Sequence, residues 1–567
     1  MCGIWATIGQ SLDAESAKRL LNKLHARGPE GSRIIQGGKD TFQLGFTRLA
    51  INGLTEEGMQ PMSNESKDLH WICNGEIYNW KELADRYTVA SKSGSDCEVI
   101  GPLFQRIAKE THTKAFFRAL DGIFSTVIVD TSAGVAVIGR DPYGVRPLFV
   151  GYIVGSEASA TPVGGNRASL MDGSGKRVPV QTIVFASEVK ALPPNCAIIE
   201  AFPPGYYAAY SLETLQRIGF EQYHSVPWVK QPALEDGSVA LRYALEQAVQ
   251  KRLLTERPVA ALLSGGLDSS LIAALVQRNL QAAGAAPLQT FSIGFEGSED
   301  LRHARLVADH IGSAHHEISM TPDDFFRAIP EVIRDIESFD ITTVRASVGN
   351  YLVSKEISKR TDCKVVFNGD GSDEVLGGYM YFYKAPSDEA FEAETERLLQ
   401  DIHLFDVLRS DRSISSHGLE ARTPFLDKQF VAVARSLATS IRRPVQGAQV
   451  EKFCLRKAFD GTGLLPNEVL WRKKEAFSDG VSASSTKSWY QICQEKSLEE
   501  VGPNWESKAA RFTHLTPKTA EAYYYRFLFD KLYGNAERVL VPYHWMPKWT
   551  PGATDPSART LEVYKAV

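Results

Sequence analysis

LLSGGLDSS, residues 262–270, is the stretch that decides the architecture of this chain. A short apolar strand, Val259 to Leu263, runs into small residues and then into a helical pattern of small and apolar residues reaching Val276. Glycines in such a turn let backbone N–H groups approach an anion, and the helix amino terminus adds a favourable dipole. The string lacks the GK[ST] of a Walker A loop and the GxGxxG of a dinucleotide fold. A second turn, NGDGSDE at residues 368–374, follows Val365 and Val366 in the same manner. Thr290 to Phe295 reads as another strand, and Leu301 to Ile311 as a helix. This alternation after about residue 230 predicts a parallel sheet with crossover helices, with ligands beyond the carboxyl ends of its strands. Both glycine-rich turns fall at such ends. From about Phe382 the pattern becomes mostly helical and rich in aromatics.

Working back towards the amino terminus, the first 210 residues read differently. Ile4 to Ile8, Gln43 to Ile51 and Trp71 to Tyr78 are candidate strands, and Ile123–Val129 turns at Asp130–Gly134 into Val135–Ile138. Helical pattern is confined to Ser16–Leu24 and Cys97–Ala108. Many strands and few helices predict an α+β domain of stacked layers. Residues 155–177, rich in glycine, serine and alanine, read as a flexible surface insertion.

A chain of 567 residues exceeds one ordinary core, so two domains are expected. A net charge of -5 gives no basic excess for a phosphate backbone, which speaks against nucleic acid as a partner. No apolar run reaches the roughly 18 residues of a membrane span. MCGIWATIGQ lacks a basic leader and an apolar core, so it does not read as a secretion signal. The 7 cysteines are scattered without a CxxC pair, which predicts free thiols in a reducing, cytoplasmic compartment.

Cys2 follows a methionine of the kind removed before a small residue. The mature chain would then carry a thiol and an α-amino group on one residue, and that amine is basic enough to activate the thiol. Around it lie HARGPE (25–30), FTRLAI (46–51), CNGEIYN (73–79), SGSDCEVI (93–100), GRDPYGVRPLF (139–149) and FASEVKAL (185–192). Together with MCGIWA these motifs resemble class II glutamine amidotransferases, which are amino-terminal-nucleophile hydrolases of αββα sandwich form. The resemblance implies Cys2 as nucleophile, with the Asn74 side chain and the Gly75 N–H as oxyanion hole. Free glutamine would be held by Arg48, Leu49, Ala50, Ile51, Asn52, Asn74, Gly75, Glu76 and Asp96. Arg48 suits its α-carboxylate; Asp96 and Glu76 suit its α-ammonium.

SGGLDSS resembles the pyrophosphate loop of the ATP pyrophosphatase family, an adenine nucleotide alpha hydrolase-like α/β fold whose members adenylate a substrate. The resemblance implies ATP contacts from Leu262, Ser264, Gly265, Gly266, Asp268, Ser269, Ile293, Asn368 and Gly369. Asp268 and Asp373 offer one carboxylate each for Mg²⁺, which commonly takes one or two protein carboxylates plus phosphate oxygens. NGDGSDE lacks the spacing and terminal glutamate of a calcium loop.

DITTVRASVGNYLVSK (340–355), FDVLRSDR (405–412), HGLEARTPFLD (417–427), WRKKEAFSDG (471–480), YYYR (523–526) and TDPSART (554–560) narrow the likeness to the glutamine-hydrolysing asparagine synthetase family. The implied division is a glutaminase domain over 1–210 and an ATP-dependent synthetase domain over 211–567. Adenylation gives the aspartate β-carboxylate a leaving group, AMP, that ammonia can displace. Asp370 stands where relatives carry an acid essential to that step, commonly a glutamate, and Lys452 matches a lysine that stabilises phosphate charge. Arg409 is a further candidate for a substrate or phosphate contact. The expected small molecules are glutamine, aspartate and ATP, and the resemblance is compatible with a homodimer. Two other readings stay open: amidation of another carboxylate, and a stand-alone amino-terminal-nucleophile hydrolase, which would leave SGGLDSS without a role.

Overall fold

Every residue but the last of Gly3–Gly9 is buried, as befits a strand with neighbours on both faces. The computed structural model describes residues 1–37, 40–155, 168–171, 177–225, 237–475, 477–482, 487–553 and 555–561. Most of the 155–177 stretch lies outside the described residues. Two units divide the chain, Met1–Ser225 and Val226–Val567.

In the first unit Gly3–Gly9 sits between Arg177–Ala186 and Phe42–Arg48 in an antiparallel sheet completed by Gly31–Gly37, Phe149–Val154 and Ile198–Ala201, with Ser169–Met171 paired to Arg177–Ala186. A second antiparallel sheet runs Arg217–Gln222, Tyr206–Ser211, Val135–Arg140, Gly122–Asp130, Leu69–Ile77 and Met62–Ser63. Ile4, Ala6, Phe42 and Phe46 from one sheet share a core with Ile72, Val127, Ile138 and Ala208 from the other. The outer face of the second sheet takes Leu83, Ile100, Leu103 and Phe116 from its helices. On the first sheet, Ala14–Asn22 lays Leu21 over Gly45 and Trp5. The layers are therefore helix, sheet, sheet, helix, as expected. Because Arg217–Gln222 pairs with Tyr206–Ser211, this unit continues past residue 210 to Ser225.

The second unit holds five parallel strands in the order Ala314–Ser319, Gln289–Gly294, Val259–Leu262, Val365–Phe367, Glu420–Arg422. The last of these, inside HGLEARTPFLD, is a strand within a region whose sequence reads as helical. It is only three residues long, too short for period-two alternation to declare itself. Val259–Leu262 and Val365–Phe367 are adjacent, so the two glycine-rich turns leave the sheet side by side. Among the described residues no helix is long and apolar enough to cross a membrane, and all seven cysteines are free thiols.

Candidate functional site

Helix Leu267–Ala282 starts at Gly266 with no side chain capping its first turn. Its leading N–H groups therefore point outwards without an internal acceptor, the arrangement that receives an anion. Gly265 has φ +71°, and a Cβ there would lie 2.4 Å from the Ala304 backbone nitrogen, so both conformation and space demand glycine. The Ser264 and Ser269 hydroxyls sit 3.0 Å apart across the turn. Arg472 fixes the loop from outside, donating to the Gly265 carbonyl at 3.0 Å and to Asp300 at 2.9 Å.

The acidic turn packs directly onto this loop. A Cβ on Gly369 would come within 2.8 Å of both Asp268 Cβ and Ser269 N. The Ser372 hydroxyl donates to Asp268 Oδ1 at 2.8 Å. Lys452 Nζ lies 2.6 Å from Asp268 Oδ2 and 2.6 Å from Asp373 Oδ1, and Lys474 Nζ reaches Asp373 Oδ2 at 2.7 Å. Although burial opposes its ionisation, the Lys452 and Lys474 ammonium groups hold Asp373 well below the usual carboxylate range. Lys452 is itself buried and adopts φ +55°, a left-handed conformation that costs any residue with a Cβ energy and is kept where surroundings enforce it.

Asp370 accepts from Arg409 Nη2 at 3.0 Å, and Arg409 also pairs with Asp406. Burial pushes the Asp370 carboxyl up to about 6, against the pull of Arg409 and with a further push from Asp406. The Asn368 amide is turned to the Ser410 hydroxyl at 2.6 Å. Leu262, Ser264, Gly266, Ile293, Gly369 and Asp370 all line one cavity of about 260 Å³ with Lys452 and Lys474. Every expected nucleotide residue except Gly265 borders it, and Gly265 shapes the loop that does.

In the first unit the Cys2 thiol is half-buried, with Sγ 3.4 Å from the Leu49 N–H and 3.5 Å from the Leu49 carbonyl. Its own carbonyl accepts from Arg27 Nε at 2.9 Å, and Arg27 pairs with Glu188 at 2.7 Å. Asn74 is fully buried on Leu69–Ile77, and neither amide atom has a hydrogen-bond partner among the described residues. Gly75 follows; a Cβ there would meet the Ile123 carbonyl at 2.1 Å, so close strand pairing requires glycine. Asn52 Nδ2 donates to Glu76 Oε2 at 2.8 Å, and Asp96 Oδ2 accepts from the Ile77 N–H at 2.7 Å. Arg48 is nearly buried and donates to the Gly53 carbonyl at 2.6 Å. The Ala50 N–H donates to Glu30 Oε2 at 2.7 Å, and Ile51 is buried. The loop from Arg48 to Asn52 is thus anchored at one end to the thiol and at the other to Glu76.

Sequence reasoning gave no site role to Asp406 or Glu30, and read Arg472, Lys473 and Lys474 only as local anion contacts or solvated surface. Lys474 and Arg472 lie in WRKKEAFSDG, where three adjacent cations give no sign of which one reaches a carboxylate.

Residues 1–226 match the family described as glutamine amidotransferase domain, and residues 240–391 and 385–555 match asparagine synthase. The chain is 42% identical over 578 residues to asparagine synthetase [glutamine-hydrolyzing] of Cricetulus griseus, covering 100% of this chain and 99% of that one. The protein of the same name from Bos taurus is 42% identical over 577 residues with the same coverage. That of Homo sapiens is 41% identical over 594 residues, again covering 100% and 99%.

Proposed function

Because this chain belongs to the glutamine-hydrolysing asparagine synthetase family, and so makes asparagine with glutamine as nitrogen donor, we propose that its two units divide the chemistry between Cys2 and the Lys452 cluster. In the unprocessed chain Met1 holds the Cys2 nitrogen in a peptide bond. Once Met1 is removed, the free amine takes the thiol proton, and the thiolate attacks the glutamine side-chain amide. The Asn74 amide and the Gly75 N–H receive the oxyanion. Support comes from the Asn74 amide being buried and without a partner among the described residues, the state of a donor kept for a transient charge. Arg48 would hold the α-carboxylate, and Glu76 with Asp96 the α-ammonium. As the oxyanion collapses the C–N bond breaks, the amine returns the proton and ammonia leaves, and water then hydrolyses the remaining thioester to glutamate and the free thiol.

In the second unit the uncapped start of Leu267–Ala282 receives the phosphates of ATP, with the Ser264 and Ser269 hydroxyls beside it. Asp268 and Asp373 converge closely enough to share one ammonium, and two carboxylates beside a phosphate loop fit Mg²⁺. Among the described residues no cluster of three or more metal-binding groups occurs, so phosphate oxygens would complete the set. When bound, the ion supplies charge neutralisation between the phosphates. Lys452 then turns from the carboxylates to the phosphoryl oxygens as the aspartate β-carboxylate attacks the α-phosphorus and pyrophosphate departs. The Asp370 carboxylate, held by Arg409, would take a proton from the attacking ammonia. Displacement of AMP gives asparagine.

The observation that carries this reading is the meeting of Lys452, Asp268 and Asp373 at the uncapped helix start. The decisive experiment is a product assay with glutamine, aspartate, ATP and Mg²⁺. AMP and pyrophosphate are expected in step with asparagine; ADP and phosphate would refute adenylation. A cytoplasmic location would suit the free thiols, and sedimentation of the full chain tests the homodimer.

A further inference from the structure

Arg345 lies on helix Ile341–Arg360 and borders the cavity, yet its guanidinium is fully engaged elsewhere. It donates to Glu521 at 2.7 and 2.5 Å and to Asp555 at 2.9 and 2.7 Å, a bidentate contact on each side. The side chains are only 3% (Arg345), 1% (Glu521) and 11% (Asp555) exposed, so this hub is not a screened surface pair. Two bidentate partners leave Arg345 no free edge for a substrate carboxylate, which makes it an anchor rather than a ligand.

What it anchors is a short strap. Asp555 also accepts from Gln494 Nε2 at 2.8 Å and from the Ser557 N–H at 2.8 Å, which turns the chain so that Pro556, Ser557 and Ala558 line the cavity. The Ser557 hydroxyl donates to Asp479 at 2.8 Å. A second clasp follows, with Arg559 donating to Glu475 at 2.7 and 3.0 Å. Glu475 is next to Lys474, whose ammonium sits on Asp373. The strap is therefore fastened at one end to the helix beside the cavity and at the other to Glu475, the chain neighbour of Lys474.

We propose that residues 555–558 are a water-excluding wall of the ATP–aspartate cavity, latched by Arg345 through Asp555 and by Glu475 through Arg559, and that the wall protects the adenylate. This rests on the assignment of the cavity to adenylation. The aspartyl adenylate is a mixed anhydride. Water adding to its β-carbonyl carbon breaks the bond to the phosphate oxygen and returns aspartate and AMP, so one ATP is consumed without product. Ammonia gives asparagine by the same displacement. A closed wall favours the second outcome by keeping water from the anhydride until ammonia arrives.

Asp555 and Arg559 are accordingly positioning residues, and coupling is their signature. Full-length Asp555→Ala and Arg559→Ala variants are assayed with ammonium and aspartate for pyrophosphate formed per asparagine, and separately for glutamine hydrolysis. The ratio is expected to rise from parity to about threefold or more, with glutamine hydrolysis unchanged and Arg559→Lys returning the ratio to parity. A ratio that stays at parity in both alanine variants, even with a lower kcat, overturns the wall. Arg559→Ala, at the less buried end, keeps the test available if Asp555→Ala does not fold. Lys452→Ala serves as the control. If it still forms pyrophosphate normally, the cavity assignment itself fails; if it does not while the strap variants stay coupled, only the wall fails.

Discussion

Lys452 and Asp268, 184 positions apart in the chain, meet at 2.6 Å in a pocket that also holds Asp373. With Lys474 also on Asp373, two ammonium groups face two carboxylates, a balanced resting state. It is also a loaded one, because a polyphosphate and its counterion can take over both partners at once. Lys452→Ala should therefore lower synthesis from either nitrogen source by about 10²–10³-fold, the scale for removing one fixed charge donor. Glutamine hydrolysis measured without ATP should be unchanged; a parallel loss there would show that the substitution damages the whole chain.

Cys2→Ala should abolish glutamine-driven synthesis and leave ammonium-driven synthesis intact. Steady-state assays with each nitrogen donor decide it. Loss of both would end the division of labour between the units.

The Asp370 carboxyl stands at about 6 in the folded protein against an ordinary value of 3.8. Between those values the native state keeps a proton that the unfolded state has released, so stability falls as pH rises through the window. Asp370→Asn cannot ionise and should remove that fall. Melting temperatures at about pH 4 and about pH 7 check it: the difference between them should be smaller in the variant. An equal or larger difference would mean that Arg409 outweighs burial.

Gly369→Ala should disable synthesis while sparing glutaminase. The added methyl meets Asp268 Cβ and Ser269 N at 2.8 Å, and neither can retreat without moving the phosphate loop. A cost of about 1–3 kcal/mol is typical of such overpacking. A variant that binds ATP and makes asparagine normally would show that the two turns are less tightly joined than their packing implies.

Much of this was legible from local sequence. Glycine between a strand and a helix announces a backbone constraint, and both turns proved to need it, Gly265 by conformation and Gly369 by contact. The stacked sheets followed from apolar strands separated by turn residues. What could not be read were meetings across long separations. Lys474 reaches Asp373 across 101 positions, and Arg345 reaches Asp555 across 210. No periodicity encodes such pairs, because they depend on where helices end in space. The extent of the first unit escaped for a related reason. Arg217–Gln222 is largely exposed, so its strand character comes from pairing with Tyr206–Ser211 rather than from its own pattern.

Asn74 shows stability and turnover pulling in opposite directions at one position. A buried amide without a partner costs a folded protein about 1–3 kcal/mol relative to one that is satisfied. A leucine of similar shape would relieve that deficit and yield a firmer, inert glutaminase unit. If Asn74 is the proposed oxyanion donor, the Nδ2 half of that deficit closes only while the oxyanion exists, and this part of the protein is most at ease in the middle of its own reaction.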